Sequence, residues 1–332
     1  MAVEITNGDM IPDRSRLFCP MEQTMTKVFF SLVDYRNNYF TSDDPNKIIE
    51  FYNGFENRDQ LIQWMRERPK GVANIHEVDG DKDIIVVIPT ADFNGKYARE
   101  CRENIFKGLH IVFVESGGKG DFYFNYAQNC NVGIRKAMEY NPKWVVVSND
   151  DMKAVNNIST LVEELNTPDL DRVDLVLCKK RMAKESITYI GKSTFLRSIL
   201  FHLYSNYTKN IKQIETVFSV NIFSHGASIL NKIIYRKNLK LRAVGDFAIL
   251  NYKFIKHKYE LFDPVFINGN EDIDVALQLF LEGIRFGYTK FNIESVGGGS
   301  LGRKGRILKD LAGLIYLNYK IERLYNSKIN LI

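Results

Sequence analysis

Short apolar segments alternate with helical segments from residue 83 onward, and this alternation is the strongest constraint on the fold. The apolar segments are rich in Val and Ile, and they are Ile84–Ile88, Ile111–Val114, Trp144–Val147 and Asp174–Cys178. Helices are predicted between them, around residues 96–106, 127–140 and 158–165. Strands that are apolar on both faces are typical of a parallel sheet covered by helices on each side. The sequence therefore predicts an α/β protein with a doubly wound, mostly parallel sheet.

The regions around this alternating part differ from it in texture. Residues 1–82 are polar and aromatic, and we interpret them as an N-terminal extension with one clear helix over 57–68. That helix opens at Asn57, with Gln60 three residues later as in a capping box. Residues 179–225 lack the regular alternation and are interpreted as a variable insertion. The chain of 332 residues is long enough for one large domain with such additions.

Composition and charge exclude several classes of protein. The net charge is +5, from 45 basic and 40 acidic residues, which is too mild and too mixed for a nucleic-acid-binding protein. The longest apolar runs fall far below the roughly 18 residues of a membrane-spanning helix, and the N-terminus lacks the pattern of a signal peptide. The four cysteines form no C-x-x-C pair and are expected to be reduced thiols. We therefore expect a cytoplasmic protein.

Polar residues follow three of the predicted strands, at the edge where ligands bind in open α/β sheets. These residues are Pro89, Thr90 and Asp92 after the first strand, Glu115 and Ser116 after the second, and Asn149, Asp150 and Asp151 after the third. Adjacent carboxylates at the tip of a buried strand are hard oxygen ligands, which suit Mg²⁺ or Mn²⁺ bridging a diphosphate. The alternative is that Asp150 and Asp151 only cap the next helix.

A second group of acids lies far downstream, at Glu271, Asp272 and Asp274. Val275 and Leu279 continue from it with helical spacing, which places the acids at a helix N-terminus. Two interpretations stay open at this point. Either the acids complement the helix dipole, or one of them is a general base.

Taken in order, these segments resemble a family-2 glycosyltransferase of the GT-A fold. The matching segments are 88–90, 114–118, 131–134 with Ala137, 147–151, 226–229 and 262–266, followed by the pair Glu271–Asp272. The resemblance covers residues 83–300, about two-thirds of the chain, with a nucleotide-sugar half over 83–178 and an acceptor half over 179–300. It implies a Rossmann-like, mostly parallel central sheet flanked by helices, with the N-terminal extension and a C-terminal helical tail as additions.

The resemblance also implies roles for individual residues. It implies a nucleotide-binding set of Pro89, Thr90, Asp92, Glu115, Ser116, Asn131 and Asp150. It implies a site for Mn²⁺ or Mg²⁺ formed by Asp151, Asp150 and Asn149, where Asn149 replaces the first acid of the D-x-D motif. Asp272 matches the catalytic base, and the residues placed on the acceptor side are Glu271, Asp274 and His225.

The implied reaction moves a sugar from a nucleoside-diphosphate sugar to a hydroxyl of a glycan, a lipid-linked acceptor or a protein, with inversion at the anomeric carbon. The departure from the family pattern that matters most is that no histidine lies between Phe291 and Gly299. Glu294, Ser295 or the backbone of the glycine-rich loop 297–300 would have to take its place.

Two other functions compete with this one. A sugar nucleotidyltransferase needs a glycine-rich basic loop after the first strand, which Pro89–Gly95 does not supply. A non-catalytic module of the same fold that binds nucleotide sugars or glycans has no need to keep both Asp151 and Asp272.

Residues 301–332 are predicted to form a basic amphipathic helix. Its apolar stripe includes Leu308, Leu311 and Ile315. Over residues 303–332 the helix either contacts a membrane surface, which would suit a lipid-linked acceptor, or packs on the domain or on another subunit of a homo-oligomer. Packing is the more common fate of such a stripe.

Overall fold

The computed structural model describes residues 35–116, 123–178, 187–193, 207–220, 222–225, 235–242, 245–267, 269–296 and 305–325. The strands are β1 (Asn74–Val78), β2 (Asp81–Thr90), β3 (Leu109–Glu115), β4 (Trp144–Ser148), β5 (Met152–Ala154), β6 (Leu175–Cys178), β7 (Ile187–Ser193), β8 (Ile222–His225), β9 (Tyr235–Arg242), β10 (Phe247–Asn251), β11 (Phe286–Thr289) and β12 (Ile293–Ser295). The labelled helices are α1 (Pro45–Asn53), α2 (Arg58–Glu67), α3 (Lys96–Glu100), α4 (Tyr126–Met138), α5 (Ile158–Leu165), α6 (Thr208–Val217), α7 (Tyr252–Ile255), α8 (Glu271–Leu281) and α9 (Arg306–Lys320). Turns of π-helix extend α3 over Cys101–Ile105 and α9 over Ile321–Tyr325.

A seven-stranded sheet forms the centre of the molecule, in the order β1-β3-β2-β4-β10-β6-β11. Its strands β2, β3, β4, β6 and β11 run in one direction, and β1 and β10 run in the opposite direction. The predicted α/β architecture with a mostly parallel sheet is confirmed. The four strands predicted from apolar segments all form, and β4 is the middle strand of the seven, with β2 between it and β3.

Helices cover both faces of the sheet because its strands are apolar on both sides. Ile84, Val86 and Ile88 of β2 pack towards α3 and α5. Ile85 and Val87 point the other way and pack towards α4 and α8. The contact with α4 is close, since a Cβ atom at its Gly133 would overlap the side chain of Val87. The strand period of two residues therefore divides one strand between two cores.

The central antiparallel strand β10 was not predicted from the sequence. It pairs with β4 on one side, where Phe247 lies opposite Ser148, and with β6 on the other. Because β10 runs against its neighbours, its first residue lies at the edge of the sheet where β2, β3 and β4 end. Asp246, directly before β10, is therefore brought to that edge.

The N-terminal helices and the C-terminal helix share a third core. Apolar side chains of α1 and α2 pack with those of α9 and part of α8. The Tyr52 hydroxyl donates to the carbonyl of Leu308 at 2.6 Å, and Arg58 pairs with Glu322 at 2.7 Å. The apolar stripe of α9 is buried in this core, so the packing alternative is confirmed for the described part of the tail.

The predicted boundary after residue 82 falls inside a strand. β2 begins at Asp81, and β1 forms antiparallel pairs with β3 at the edge of the same sheet. Residues 74–82 are therefore part of the sheet. The apolar pattern begins at Ile84 because the first residues of β2 are exposed, and this exposure hides the start of the strand from sequence reasoning.

Two smaller sheets complete the described structure. The strands β8, β7 and β9 form a three-stranded antiparallel sheet, of which β7 and β8 lie in the region 179–225 that was predicted to be a variable insertion and β9 follows it. The strands β5 and β12 form a separate antiparallel pair. Of the two, β5 begins directly after the predicted metal motif 149–151.

Candidate active site

The ends of β2, β3 and β4 contact one another at one edge of the sheet. The Thr90 hydroxyl, at the end of β2, donates a hydrogen bond to Oδ2 of Asp150 at 2.8 Å. The N–H of Ser116, after β3, donates to the carbonyl of Thr90 at 3.0 Å. Asp150 itself lies two residues beyond the end of β4. The structure thus brings together the three strand ends that contain the predicted nucleotide and metal residues.

Asp150 and Asp151 do not cap a helix. The strand β5 follows them, and the next helix, α5, is capped by Asn157, whose side chain accepts from the N–H of Ser159. The capping alternative is therefore wrong. Burial raises the pKa of Asp150, a rise that the Thr90 hydroxyl opposes and the neighbouring Asp151 carboxylate reinforces. A cation bound to the pair would relieve this repulsion.

Asn149 and Asp151 offer oxygen atoms at the position predicted for a divalent cation. The side-chain oxygen Oδ1 of Asn149 is buried and accepts no hydrogen bond. Asp151 is only 7% exposed. Leaving a buried polar atom unsatisfied costs roughly 1–3 kcal/mol, so a water, an ion or a ligand is expected to bind the Asn149 oxygen. Oxygen donors of this kind fit Mg²⁺ or Mn²⁺ together with substrate phosphates.

The strand β12 lies beside the predicted metal motif. Its Ser295 is opposite Met152 of β5, and the N–H of Val296 donates to the carbonyl of Asp151 at 2.8 Å. Glu294 is exposed and is opposite Lys153. Glu294 and Ser295, which were proposed to replace the missing histidine, therefore lie on the strand that pairs with the residues directly after Asp151. The glycine-rich loop 297–300 lies outside the described residues.

Asp246 connects the strand ends to the acids that begin α8. Its carbonyl accepts the N–H of Asn149 at 2.9 Å, next to the antiparallel pairing of β4 with β10. Its carboxylate acts electrostatically on Asp272, in the first turn of α8. The helix is entered through a tight turn at Gly269 and Asn270, which both have left-handed backbone angles. Asp246 is therefore close to both of the acidic groups that were predicted from distant parts of the sequence.

The acids of this group hold their protons more firmly than ordinary carboxylates do. Burial raises the pKa of Glu271 to about 8, and the neighbouring carboxylates of Asp272 and Asp310 add to the rise. Burial also raises the pKa of Asp272, and the carboxylate of Asp246 adds to the rise. The N–H of Ile273, which donates to Asp272 at 2.8 Å, lowers this pKa in part. Carboxylates with raised pKa values are typical of groups that exchange protons with a substrate.

Asp310 reaches the same group from α9. Burial raises its pKa to about 6, with a smaller opposing effect of Arg306 and a contribution from the Asp272 carboxylate. The carbonyl of Asp310 accepts from the side-chain amide of Asn270 at 3.4 Å, directly before the first turn of α8. The C-terminal helix therefore supplies an acid that the sequence did not predict for this site.

Asp274, predicted to support the acceptor side, has a different environment. It is fully buried, and its carboxylate pairs with Lys320 of α9 at 2.7 Å. Gln278 and Tyr325 also donate to it, at 2.7 and 3.2 Å. The structure places Asp274 in a buried ion pair between α8 and α9, on the other side of the helix turn from the acids at the edge.

The predicted nucleobase acid, Glu115, already has two partners. One carboxylate oxygen accepts from the N–H of Phe93 at 2.9 Å, and the other is 2.8 Å from Nε2 of His76. The rings of His76 and Phe93 stack with centroids 4.4 Å apart, and the guanidinium of Arg102 lies 4.8 Å from the Phe93 centroid. These bonds lower the pKa of Glu115, chiefly through the N–H of Phe93 and then through His76. An ionised acid therefore stands beside an aromatic ring at the end of β3.

The side chain of Asn131, which is predicted to bind the nucleotide, holds a loop in the structure. Its side-chain oxygen accepts from the N–H groups of Leu261 and Phe262 at 3.1 and 3.0 Å, and its amide donates to the carbonyl of Phe262 at 2.6 Å. Asn125, at the start of α4, donates to two further carbonyls of the same loop, at Pro264 and Phe266. This loop leads to α8, so α4 fixes the approach to Glu271 and Asp272.

The other predicted residues lie around the same strand ends or further away. Pro89 is inside β2 opposite Val114, and Asp92 is exposed in the turn that follows. Ser116 is buried and accepts from the amide of Asn129. His225 ends β8, and its side chain is outside what the structure describes.

Sequence reasoning missed three residues of this site. Asp246 has a weak signal, since it directly precedes a short apolar run. Asp310 has none, because it occurs within an ordinary amphipathic helix. Tyr126 begins α4, and its buried hydroxyl makes no hydrogen bond of ordinary geometry, with only the weakly polar thiol of Cys130 as a polar side chain that acts on it as a hydrogen-bond partner. Burial raises the pKa of the Tyr126 hydroxyl, and Cys130, Glu271 and Asp246 raise it further.

The sequence matches no protein-family model and no curated protein sequence. Within the described ranges, no three His, Cys, Asp or Glu side chains are arranged to hold a metal ion by themselves. A cation at Asn149 and Asp151 would therefore need phosphate or water ligands as well. None of the helices in the part of the chain that the structure describes is long and apolar enough to cross a membrane.

Proposed function

We propose that the protein is an inverting glycosyltransferase that uses a nucleoside-diphosphate sugar as donor and a hydroxyl group as acceptor. The observation that carries this proposal is the meeting of two acidic groups at one edge of the sheet. Asn149, Asp150 and Asp151 follow β4, and Asp246 connects them to Asp272 at the start of α8. The order of the motifs along the chain supports the further assignment of the sheet to the GT-A type.

Asp272 is the base of the proposed reaction. It accepts the proton of the acceptor hydroxyl while that oxygen attacks the anomeric carbon of the donor, and the bond from this carbon to the diphosphate breaks with its electron pair on the diphosphate. A raised pKa favours this role, because a base works best when its pKa approaches the working pH. Glu271, whose pKa is raised to about 8, keeps a proton at neutral pH and so limits the repulsion around Asp272.

Asp151 and Asn149 are the residues that would hold the divalent cation, Mg²⁺ or Mn²⁺. The unsatisfied oxygen of Asn149 and the buried carboxylate of Asp151 support this assignment. When bound, such a cation neutralises negative charge on the departing diphosphate. Thr90 holds the remaining acid of the motif, Asp150, through the hydrogen bond at 2.8 Å.

Glu115 and Phe93 are the residues we assign to the nucleobase. An ionised carboxylate has about four acceptor positions, and only two are used by His76 and Phe93. The remaining positions suit the N–H groups on the edge of a base. The stacked pair of His76 and Phe93 supplies an aromatic surface at the same place.

The test is the substitution Asp272→Asn, which keeps the shape of the side chain and removes the base. We expect the release of nucleoside diphosphate from a panel of nucleotide sugars and acceptors to fall by about 10²–10⁴-fold, with nucleotide affinity nearly unchanged. Asp59→Asn is the matched control, since Asp59 is an exposed acid in the first turn of α2. Substantial residual transfer by Asp272→Asn would remove Asp272 from the base role.

A further inference from the structure

Three arginines gather around one tyrosine where the N-terminal helices meet the end of the C-terminal helix. Arg58 and Arg66 lie on α2, and Arg323 lies in the π-helical turn after α9. The guanidinium carbon of each is 5.6 Å from the centroid of the Tyr319 ring. No two of these guanidinium groups can be further apart than twice that distance. We call these four residues the arginine cluster.

The charges of the arginine cluster are only partly balanced. Glu322 pairs with Arg58 at 2.7 Å, and one of its oxygens also accepts from the amide of Asn318. Arg66 and Arg323 are exposed, and no carboxylate within the described ranges forms an ion pair with either. Among the described residues, three positive charges therefore face the carboxylate of Glu322, which already pairs with Arg58. Like charges this close disfavour one another unless an anion joins them.

The chemistry of the cluster points to one kind of anion. A guanidinium group presents N–H donors in a planar fork that matches two oxygens of a phosphate, and arginine is therefore the preferred partner of phosphate groups. The Tyr319 ring holds the guanidinium groups of both chain segments through cation–π contacts. Because these side chains are already partly ordered, a bound anion would cost less side-chain entropy. Arg58 is fixed further by its ion pair.

We propose that the arginine cluster is a phosphate-binding site, separate from the acids at the edge of the sheet. The ligand is either a soluble phosphate or the phosphate of a lipid headgroup, and both offer the same oxygens to the guanidinium groups. The site does not depend on the proposed function. It is formed only when α2 and the end of α9 pack together, because neither segment carries all three arginines.

Inorganic phosphate is the first probe. The melting temperature of the full chain is followed as phosphate is added at constant ionic strength, for the wild type and for Arg66→Gln/Arg323→Gln. We expect saturating phosphate to raise the melting temperature of the wild type by about 2 °C or more above the rise of the double variant. Both replaced side chains are exposed and have no ion pair with another described residue, and Arg66 loses only its interactions with the hydroxyls of Tyr319 and Tyr316, so the variant is expected to fold. The matched control is Arg99→Gln/Lys107→Gln, which removes the same charge from exposed positions on and after α3.

Vesicles separate the two sources of phosphate. Co-sedimentation is measured with vesicles of phosphatidylcholine alone and of phosphatidylcholine with phosphatidic acid. A response to inorganic phosphate alone, lost in the Arg66→Gln/Arg323→Gln variant, supports a soluble ligand. Binding to the phosphatidic acid vesicles that the same variant loses and the control keeps supports a lipid headgroup. Equal behaviour of wild type and double variant in both assays, including no response by either, would overturn the proposal.

Discussion

At the scale of single residues, two buried tyrosines differ in one hydrogen bond. The hydroxyl of Tyr52 donates to the carbonyl of Leu308 at 2.6 Å and so ties α1 to α9. The hydroxyl of Tyr126 is also buried and has no such partner. A buried hydroxyl that is satisfied stabilises the fold modestly, and one that is unsatisfied destabilises it.

Replacing each tyrosine by phenylalanine tests this difference. Tyr52→Phe is expected to lower the free energy of unfolding by about 0.5–1.5 kcal/mol, because the buried hydrogen bond to the Leu308 carbonyl is lost. Tyr126→Phe is expected to leave the free energy of unfolding unchanged or to raise it by up to about 1 kcal/mol. Urea denaturation of the two variants and the wild type measures both values. Equal losses in the two variants would show that the Tyr126 hydroxyl is satisfied.

The role of a single residue can be predicted from the sequence where it depends on local position, such as the cap of a helix. Asn57 caps its helix as predicted, whereas the Gln60 side chain accepts from the N–H of Glu56, one residue before the position that completes a capping box. The roles of Asp151 and Asp272, which were selected because they follow a strand or begin a helix, stay predictions. Asn131 was assigned to the nucleotide, and only the folded chain shows that its amide holds the loop at 261–262. That partner lies about 130 residues away in sequence, which local patterns cannot reveal.

At the scale of elements, a buried ion pair joins α8 to α9. Lys320 contacts Asp274 at 2.7 Å and Asp263 at 2.8 Å, and Tyr316 also donates to Asp263 at 2.9 Å. Asp263 belongs to the loop before α8, and Asp274 belongs to the first turn of that helix. The network therefore connects the C-terminal helix to the segment that carries Asp272.

The substitution Lys320→Met tests this network. It keeps the length of the side chain and leaves the fully buried Asp274 without its cation, so we expect the free energy of unfolding to fall by about 3–5 kcal/mol. Lys107→Met, at an exposed position, is the control and should change it by less than about 0.5 kcal/mol. Thermal or urea unfolding provides the comparison. Similar small effects of the two substitutions would mean that the network contributes little.

Elements that carry their own periodicity were predicted, and elements that depend on distant partners were not. The apolar runs of β2, β3, β4 and β6 gave four strands, and α5 forms over the predicted residues. The strand β10 was missed because it follows an irregular region, and its place between β4 and β6 depends on pairing with residues far along the chain. The stripe of α9 indicated a buried face, but nothing in the sequence named α1 and α2 as its partners.

At the scale of the whole molecule, the N-terminal and C-terminal parts of the described chain pack together and contact the central part. The helices α1, α2 and α9 share a core with part of α8, and β1 extends the central sheet. The division into an extension, a catalytic domain and a tail therefore describes the sequence better than it describes the packing. The separate textures arise because the third core is aromatic and helical, whereas the sheet is built from Val and Ile.

A fragment of residues 83–300 tests the contribution of the two ends. It lacks β1, α1, α2 and α9, so apolar side chains of α8 and of its preceding loop, such as Leu277 and Phe266, would be exposed to water. We expect the fragment to lose cooperative thermal unfolding, as followed by circular dichroism, while the full chain unfolds in a cooperative transition. Cooperative unfolding of the fragment within a few degrees of the full chain would show that residues 83–300 are an independent domain.

The central claim is that the acids at the sheet edge bind a nucleoside diphosphate together with a divalent cation. Its most direct test is the melting temperature of the chain with each nucleoside diphosphate, in the presence and absence of Mn²⁺ or Mg²⁺. We predict that at least one diphosphate raises the melting temperature only with the cation, because a ligand of the native state stabilises it. The rise should vanish in Asp151→Asn and persist in Asp169→Asn, which changes an exposed acid. If no diphosphate stabilises the wild type with either cation, or if Asp151→Asn responds like the wild type, the claim is contradicted.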